Sequence, residues 1–241
     1  MSRAIGEVEL LQELLPAWAV AIAGLLTQLG DAWFLLVLIV ALFVRGETNR
    51  QDIVALLGVS AGAIGCYRGL KHLFAAPRPE LSPLDTAGLH PVVEGLLELT
   101  ATASSYGFPS GHATGATVVY LGLASILTIG TRRKRFAVAV GVVALVATTR
   151  VVLAVHYLAD VVAGVALGSA FVAAVLVLPR KLAPAYRVQI AYAVAFPFII
   201  FYLLTSRATG ESVLLLGGTV AVFVGWHLLR SVSPWEIQPT G

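Results

Sequence analysis

Long uncharged runs, broken by short polar turns, organise this chain. From Leu14 to Val44 only Asp31 carries a charge. A membrane span needs about 20 apolar residues. This stretch therefore fits either two short helices turning at Gly30-Asp31 or one interfacial helix followed by one span. A polar turn, Arg45 to Arg50, follows. Ile53 begins the next span, which ends near Lys71, with Arg68 one turn earlier. Residues 75–109 form a long loop holding Pro77, Pro79, Pro83 and Pro91, with an amphipathic piece near Val92–Leu99. A structureless loop of that length in a compact protein is usually functional.

The later runs are cleaner. Ala113–Gly130 reads as a span, then Thr131 to Arg135 is a basic turn. Phe136–Thr149 is a slightly short span ending at Arg150. Val161–Leu178 is closed by Pro179-Arg180-Lys181. Val188–Ser206 and Ser212–Leu229 are two more, separated by a turn with Arg207. The pattern predicts an all-α, polytopic transmembrane bundle of seven or eight helices. Scattered glycines and alanines within the runs allow close helix packing. No internal repeat is visible.

Composition agrees. Of 241 residues, 58% are hydrophobic and 12% charged, against about 25% charged in soluble domains. Mean hydropathy is +0.88. The length suits one integral membrane domain over 1–241, with a core at about 50–180 and further C-terminal helices at about 188–230. The single cysteine, Cys66, excludes an intrachain disulfide and a cysteine metal site. Residues 1–13 carry Glu7, Glu9 and Glu13, unlike the basic start of a signal peptide. Arginine far outnumbers lysine among the basic residues, a compositional hint of a GC-rich prokaryotic source.

Ionisable groups near membrane depth are costly and mark function by default. Here they form three blocks: Lys71 with Arg78-Pro79; Ser110-Gly111-His112; and Thr149-Arg150 with His156 and Asp160. Following the spans up and down places all three at one membrane face. Lys71, Arg78 and Arg150 are cations with no carboxylate close in sequence, suited to phosphate oxygens. Pro109-Ser110-Gly111-His112 stands at a helix start, where unpaired N–H groups favour an anion. Ser110 suits an N-cap or a direct hydrogen bond to that anion, and Gly111 permits close approach. His156 and Asp160 share a helix face at i, i+4. A carboxylate there holds one imidazole nitrogen and frees the other as a nucleophile. His112 remains as acid for the leaving oxygen. The set describes phosphoryl transfer without metal or cofactor.

These three blocks resemble the three signature motifs of the type-2 phosphatidic acid phosphatase family, which shares its core with vanadium haloperoxidases and glucose-6-phosphatase. Lys71 with Arg78-Pro79 matches the first motif, Pro109-Ser110-Gly111-His112 the second, and Arg150, His156 and Asp160 the third. The family's third motif usually opens with serine, where this chain has Thr149. The resemblance implies a helical-bundle hydrolase acting on a lipid phosphate or diphosphate monoester. It implies His156 as nucleophile, His112 as acid, and phosphate binding by Lys71, Arg78, Ser110, Gly111 and Arg150. It assigns no chemistry beyond about Val188.

Other charged residues read as structural. Arg68 is an interfacial anchor, Asp31 a turn residue, and His72, His90 and His227 fit no constellation. Arg132 to Arg135 form a topology-setting turn rather than a nucleic-acid patch. Away from the motif face lie Arg45, Arg50, Arg132, Arg133, Lys134, Arg135, Arg180, Lys181, Arg187 and Arg230. The motif face has Arg68 and Arg207 besides its motifs, and a loop bearing Glu80, Asp85, Glu94 and Glu98. Cations in short loops stay in the cytoplasm, so the motifs are expected outside the cell membrane. The expected partners are the bilayer and a lipid-phosphate substrate, not nucleic acid. Two alternatives share these features: a lipid phosphotransferase, and a non-catalytic anion- or lipid-binding protein or transporter. Intact His112, His156 and Asp160 favour catalysis over binding alone.

Overall fold

A computed structural model describes residues 6–46, 48–79, 95 and 105–232. The amphipathic piece expected near Val92–Leu99 (Gly95 apart), His90, and the acidic Glu80, Asp85, Glu94 and Glu98 lie outside the described residues. All regular structure among the described residues is helical. A short helix α1 (Glu7–Leu14) precedes α2 (Ala17–Leu26), which passes through a 3₁₀ turn (Thr27–Gly30) into α3 (Ala32–Arg45). The chain bends by 47° at that break. Leu14 to Val44 is thus two short helices turning at Gly30-Asp31, the first of the two arrangements its sequence allowed.

The remaining helices are α4 (Arg50–Phe74), α5 (Gly111–Ile126), α6 (Arg132–Val152), α7 (Leu158–Leu182), α8 (Arg187–Thr205) and α9 (Gly210–Val232). Five of these, α4 and α6 to α9, are long and apolar enough to cross a membrane, and the bent α2–α3 pair makes a sixth span if counted as one. With 16 residues, α5 is shorter, starting at the motif residue Gly111. The chain is a multi-pass membrane protein.

Local chemistry explains the helix ends. The Asn49 side chain accepts from the Gln51 N–H at the start of α4, and the Thr131 hydroxyl accepts from the Lys134 N–H at the start of α6. Gly46 closes α3 with a left-handed φ of 68°. Within α7 the stretch Val172–Val177 widens to a π-helix. Pro179 follows it, and its missing N–H and its ring disrupt the regular ladder there.

The core forms where α4 runs through the centre. Ile53, Leu56, Val59, Val118, Ile126, Leu176 and Tyr192 pack together from α4, α5, α7 and α8, each almost fully buried. Along one face of α4, Gly58, Gly62, Gly65 and Gly69 let α8 lie directly against it. A Cβ on Gly65 would stand 2.7 Å from the Phe198 carbonyl and the Ile199 nitrogen. Small residues at such a seam give close van der Waals packing, which drives association where lipid and side chain are equally apolar. The two helices run parallel, so the end of α8 returns to the level of Lys71.

Charge is sorted between the ends. At the end away from the motifs, buried Asp52 pairs with Arg187 at 2.8 Å and Arg180 at 3.3 Å. Arg135 donates to the Ala124 carbonyl and Arg180 to that of Ser125. These arginines tie α4, α5, α6, α7 and α8 together at one level. The expected sorting of cations by face holds for every one of these.

The glycine seam yields a test. Gly65→Val should cost about 1–3 kcal/mol of stability, read as a lower Tm in detergent. Gly141 has open space where a Cβ would be, so Gly141→Ala should leave Tm unchanged or raise it. Equal losses in both variants would contradict the proposed close contact of α4 and α8.

Candidate active site

The four chain segments that carry the motifs meet at one level. Lys71 stands in the last turn of α4, buried, with its ammonium donating to the carbonyls of Tyr106 and Gly107. Arg78 lies just beyond. Its Nε donates to the Ser105 carbonyl at 2.6 Å and its Nη1 to the Val155 carbonyl at 2.7 Å. Those two bonds fix the guanidinium plane against the turn between α6 and α7.

Ser110 caps α5, its hydroxyl accepting from the Ala113 N–H at 3.4 Å, while its own N–H donates to the Asp160 carbonyl at 2.9 Å. It is fully buried. The start of α5 is pressed onto α7, where a Cβ on Gly164 would come 2.6 Å from the Ser110 carbonyl. Gly111 faces the Tyr67 ring, 2.8 Å from where its Cβ would stand. The Thr149 hydroxyl donates to the Val146 carbonyl at 2.7 Å within its own helix.

Between α6 and α7 the chain turns sharply. Ala154 takes a left-handed φ of 55°, a conformation that side chains other than glycine rarely adopt without support. The Val155 N–H returns to the Arg150 carbonyl at 3.2 Å. This turn carries His156 inward, 2% exposed. Its Nδ1 lies 3.4 Å from Asp160 Oδ2, and its Nε2 lies 3.2 Å from Arg78 Nη1. A guanidinium only donates, so Nε2 is the acceptor and the ring proton sits on Nδ1, facing the carboxylate. The Tyr157 N–H donates to the same Oδ2 at 3.1 Å and holds that carboxylate in place.

A cavity of about 630 Å³ gathers the site. At its polar end stand Lys71, Arg78, Gly111, His112, Arg150 and His156. Ser110 and Asp160 lie behind that wall, fully buried. Arg150, 2% exposed, donates from Nη1 to the Thr27 hydroxyl at 2.7 Å, and its Nε is buried without a hydrogen-bond partner. An unpartnered guanidinium nitrogen beside further cations retains donor capacity that an anion can use. The cavity continues between apolar side chains of α3, α4, α5 and α9, among them Leu35, Ile39, Ile64, Val119, Leu214 and Val222.

The electrostatics favour a neutral His156. Burial first, and then the charges of Arg78, Arg150 and Lys71, hold the His156 imidazole well below its ordinary range. Burial lowers Arg78 to about 10, and it stays charged at neutral pH. Among the described residues no three His, Cys, Asp or Glu side chains gather to hold a metal ion.

Four residues outside the motifs belong to this picture. Asp31, read from sequence as a turn residue, does occupy the turn, but its Oδ1 also stands 3.4 Å from His112 Nε2. Thr27 receives Arg150. Arg68, read as an anchor, lines the cavity and pairs with Glu211 of α9. His72 lines it as well, with its ring 5.8 Å from that of Tyr202. Helix α9, to which sequence assigned no chemistry, supplies one cavity wall. No local signal marked Thr27 or α9. Asp31 carried one, as a lone carboxylate in an apolar run.

The sequence profile described as the PAP2 superfamily matches residues 52–184. The chain belongs to the PAP2 superfamily. Every motif residue named above falls inside that match, whereas Thr27, Asp31, α8 and α9 fall outside it. No curated protein matches the chain. Among solved structures, the transmembrane PAP2-type phosphatidylglycerolphosphate phosphatase from Bacillus subtilis is similar. It shares 26% identity with a TM-score of 0.60, over 73% of this chain and 84% of that one. A PAP2 fold therefore organises the bundle, and the short α5 with its motif start is part of it.

The His156 environment is testable by itself. Its imidazole should titrate below pH 6.5, the ordinary histidine value, when followed by NMR in detergent micelles. Removing the adjacent cation in Arg78→Ala should move that titration to higher pH. A titration at or above the ordinary value in the wild type would contradict the burial and charge described.

Proposed function

We propose that the protein is a membrane phosphatase that hydrolyses a lipid phosphate or diphosphate monoester through a phosphohistidine intermediate, without a metal. One observation carries this reading: Lys71, Arg78, Arg150, His112 and His156 converge at the polar end of a cavity that continues between mostly apolar side chains. The polar end suits a phosphate and the apolar walls suit a lipid chain. The similar Bacillus subtilis protein is a phosphatase of a lipid phosphate, which supports the same class of substrate.

The geometry suggests an order of events. Arg150 Nε, Lys71, Arg78 and the N–H groups at the start of α5 take the phosphate oxygens. Arg78 leaves His156 Nε2 as its guanidinium turns to the phosphate. The freed Nε2 lone pair attacks phosphorus, and the bond to the lipid oxygen breaks. Asp160 holds Nδ1–H and stabilises the charge that the ring acquires. His112 gives its proton to the departing oxygen. Water then attacks the phosphohistidine, passing a proton to His112, and phosphate leaves. The cations stabilise charge on the equatorial oxygens throughout. Ser110 contributes by capping α5, which keeps its first N–H groups aimed at the ligand.

We place the site at the outer face of the cell membrane. The reasoning is the count of cations, with Arg45, Arg50, Arg132 to Arg135, Arg180, Lys181, Arg187 and Arg230 at the other end. Lipid of the outer leaflet is then the substrate pool.

Two experiments test the proposal. Purified protein with EDTA present should release phosphate from at least one of phosphatidate, phosphatidylglycerol phosphate and polyprenyl mono- or diphosphate, and His156→Ala should lose at least about 10³-fold. Activity that EDTA abolishes and Mg²⁺ or Zn²⁺ restores would refute metal independence. Transfer to an added alcohol in preference to water would make it a phosphotransferase. For topology, single cysteines at Arg207 and Thr131, in a Cys66→Ser background, can meet an impermeant maleimide in intact cells. Position 207 should label and position 131 should not; the reverse overturns the orientation.

A further inference from the structure

The break between α2 and α3 makes four contacts with the site helices, and the motifs explain none of them. Thr27, fully buried, accepts from Arg150 of α6 at 2.7 Å. The Tyr120 hydroxyl of α5 donates to the Leu29 carbonyl at 2.8 Å. Gly30 lies so close that a Cβ would stand 2.5 Å from Val146 of α6 and 3.4 Å from His112 Cδ2. Asp31 Oδ1 is 3.4 Å from His112 Nε2. Both of these side chains are about a quarter exposed, and both line the cavity.

Asp31 occupies the N-cap position of α3, where its side chain engages the Ala32 N–H at the helix start but makes no capping hydrogen bond. Meanwhile His112 Nε2 is buried with no hydrogen-bond partner in this resting geometry. The two groups stand at ion-pair distance, 3.4 Å apart. Catalytic hydrogen bonds are often long before substrate arrives.

We infer that Asp31 is a positioning residue for His112, forming a second carboxylate–histidine pair across the cavity from His156 and Asp160. The inference rests on the phosphatase reading of the site. The groups facing His112 are Arg150 from α6, Arg78 from the segment after α4, His156 from the α6–α7 turn and Asp31 from the α2–α3 break. Burial first, and then the two arginines, disfavour a charged imidazolium, and Asp31 opposes them by favouring the protonated ring. With Nε2 turned to Asp31, Nδ1 is the nitrogen that gives its proton to the lipid oxygen as the P–O bond breaks and the P–Nε2 bond to His156 forms. On hydrolysis Nδ1 takes a proton from the attacking water while the P–N bond breaks, so the pair returns to its starting state.

An acid matters most when the leaving oxygen is a strong base. The test therefore compares two substrates in full-length protein: the lipid monophosphate hydrolysed fastest in the panel, which expels an alcohol, and p-nitrophenyl phosphate, whose leaving oxygen is already a weak base. Asp31→Asn should lower kcat on the lipid by about 10- to 100-fold, with KM within about 3-fold, and on p-nitrophenyl phosphate by less than about 3-fold. The alkaline limb of its lipid pH profile should move to lower pH. In a His112→Asn background the same change should add nothing. Equal losses on both substrates, no loss on either, or full additivity with His112→Asn would overturn the role of Asp31. A wild type that releases phosphate from neither substrate would instead overturn the phosphatase reading, and this inference with it.

Discussion

The constraint on which this structure depends is the crowding of Lys71, Arg78 and Arg150 around one cavity in an apolar bundle. Removing a charge from water costs several kcal/mol even after relaxation, and like charges side by side add to it. The protein offsets this with backbone carbonyls and one hydroxyl. Tyr106 and Gly107 receive Lys71, Ser105 and Val155 receive Arg78, and the Thr27 hydroxyl receives Arg150. Arg150 Nε is left over. The arrangement holds cations in place while leaving donor capacity for an anion, which under the proposed function is the substrate phosphate.

The rest of the bundle serves that constraint. Lys71 is fixed at depth because α4 is the central helix, clasped by α8 along a glycine face. Ser110 and Gly111 sit at the right level because α5 starts there and is held to α7 by the Ser110–Asp160 backbone bond. His156 is carried inward by a tight turn at Ala154. The opposite end is tied separately, by Asp52 with Arg180 and Arg187, so each end of the membrane region has its own polar anchor.

Much of this was legible in the sequence, for a physical reason. Apolar runs of span length have little freedom in how they fold, and charges within them are too costly to be incidental. Lys71, Arg78, His112, Arg150 and His156 stood out on that ground, and they do line one cavity. Parts carried by tertiary contact were not legible. Thr27 and α9 look like ordinary apolar-span sequence, and their place at the cavity depends on how α2, α3 and α9 dock. Asp31 was visible as a lone carboxylate, but its 3.4 Å approach to His112 comes from the 47° bend at the break, and local pattern does not set that bend. The pairing of Arg68 with Glu211 was not legible either, because the two lie 143 positions apart.

The central claim is that His156 is the nucleophile, freed by Asp160 on one nitrogen and by the departure of Arg78 on the other. Rapid-quench mixing of purified protein with a lipid bearing a ³²P-labelled terminal phosphate tests it most directly. The account predicts a label on the wild type that is stable to alkali, lost in acid and absent from His156→Ala. Label that persists in His156→Ala at the wild-type level would contradict it.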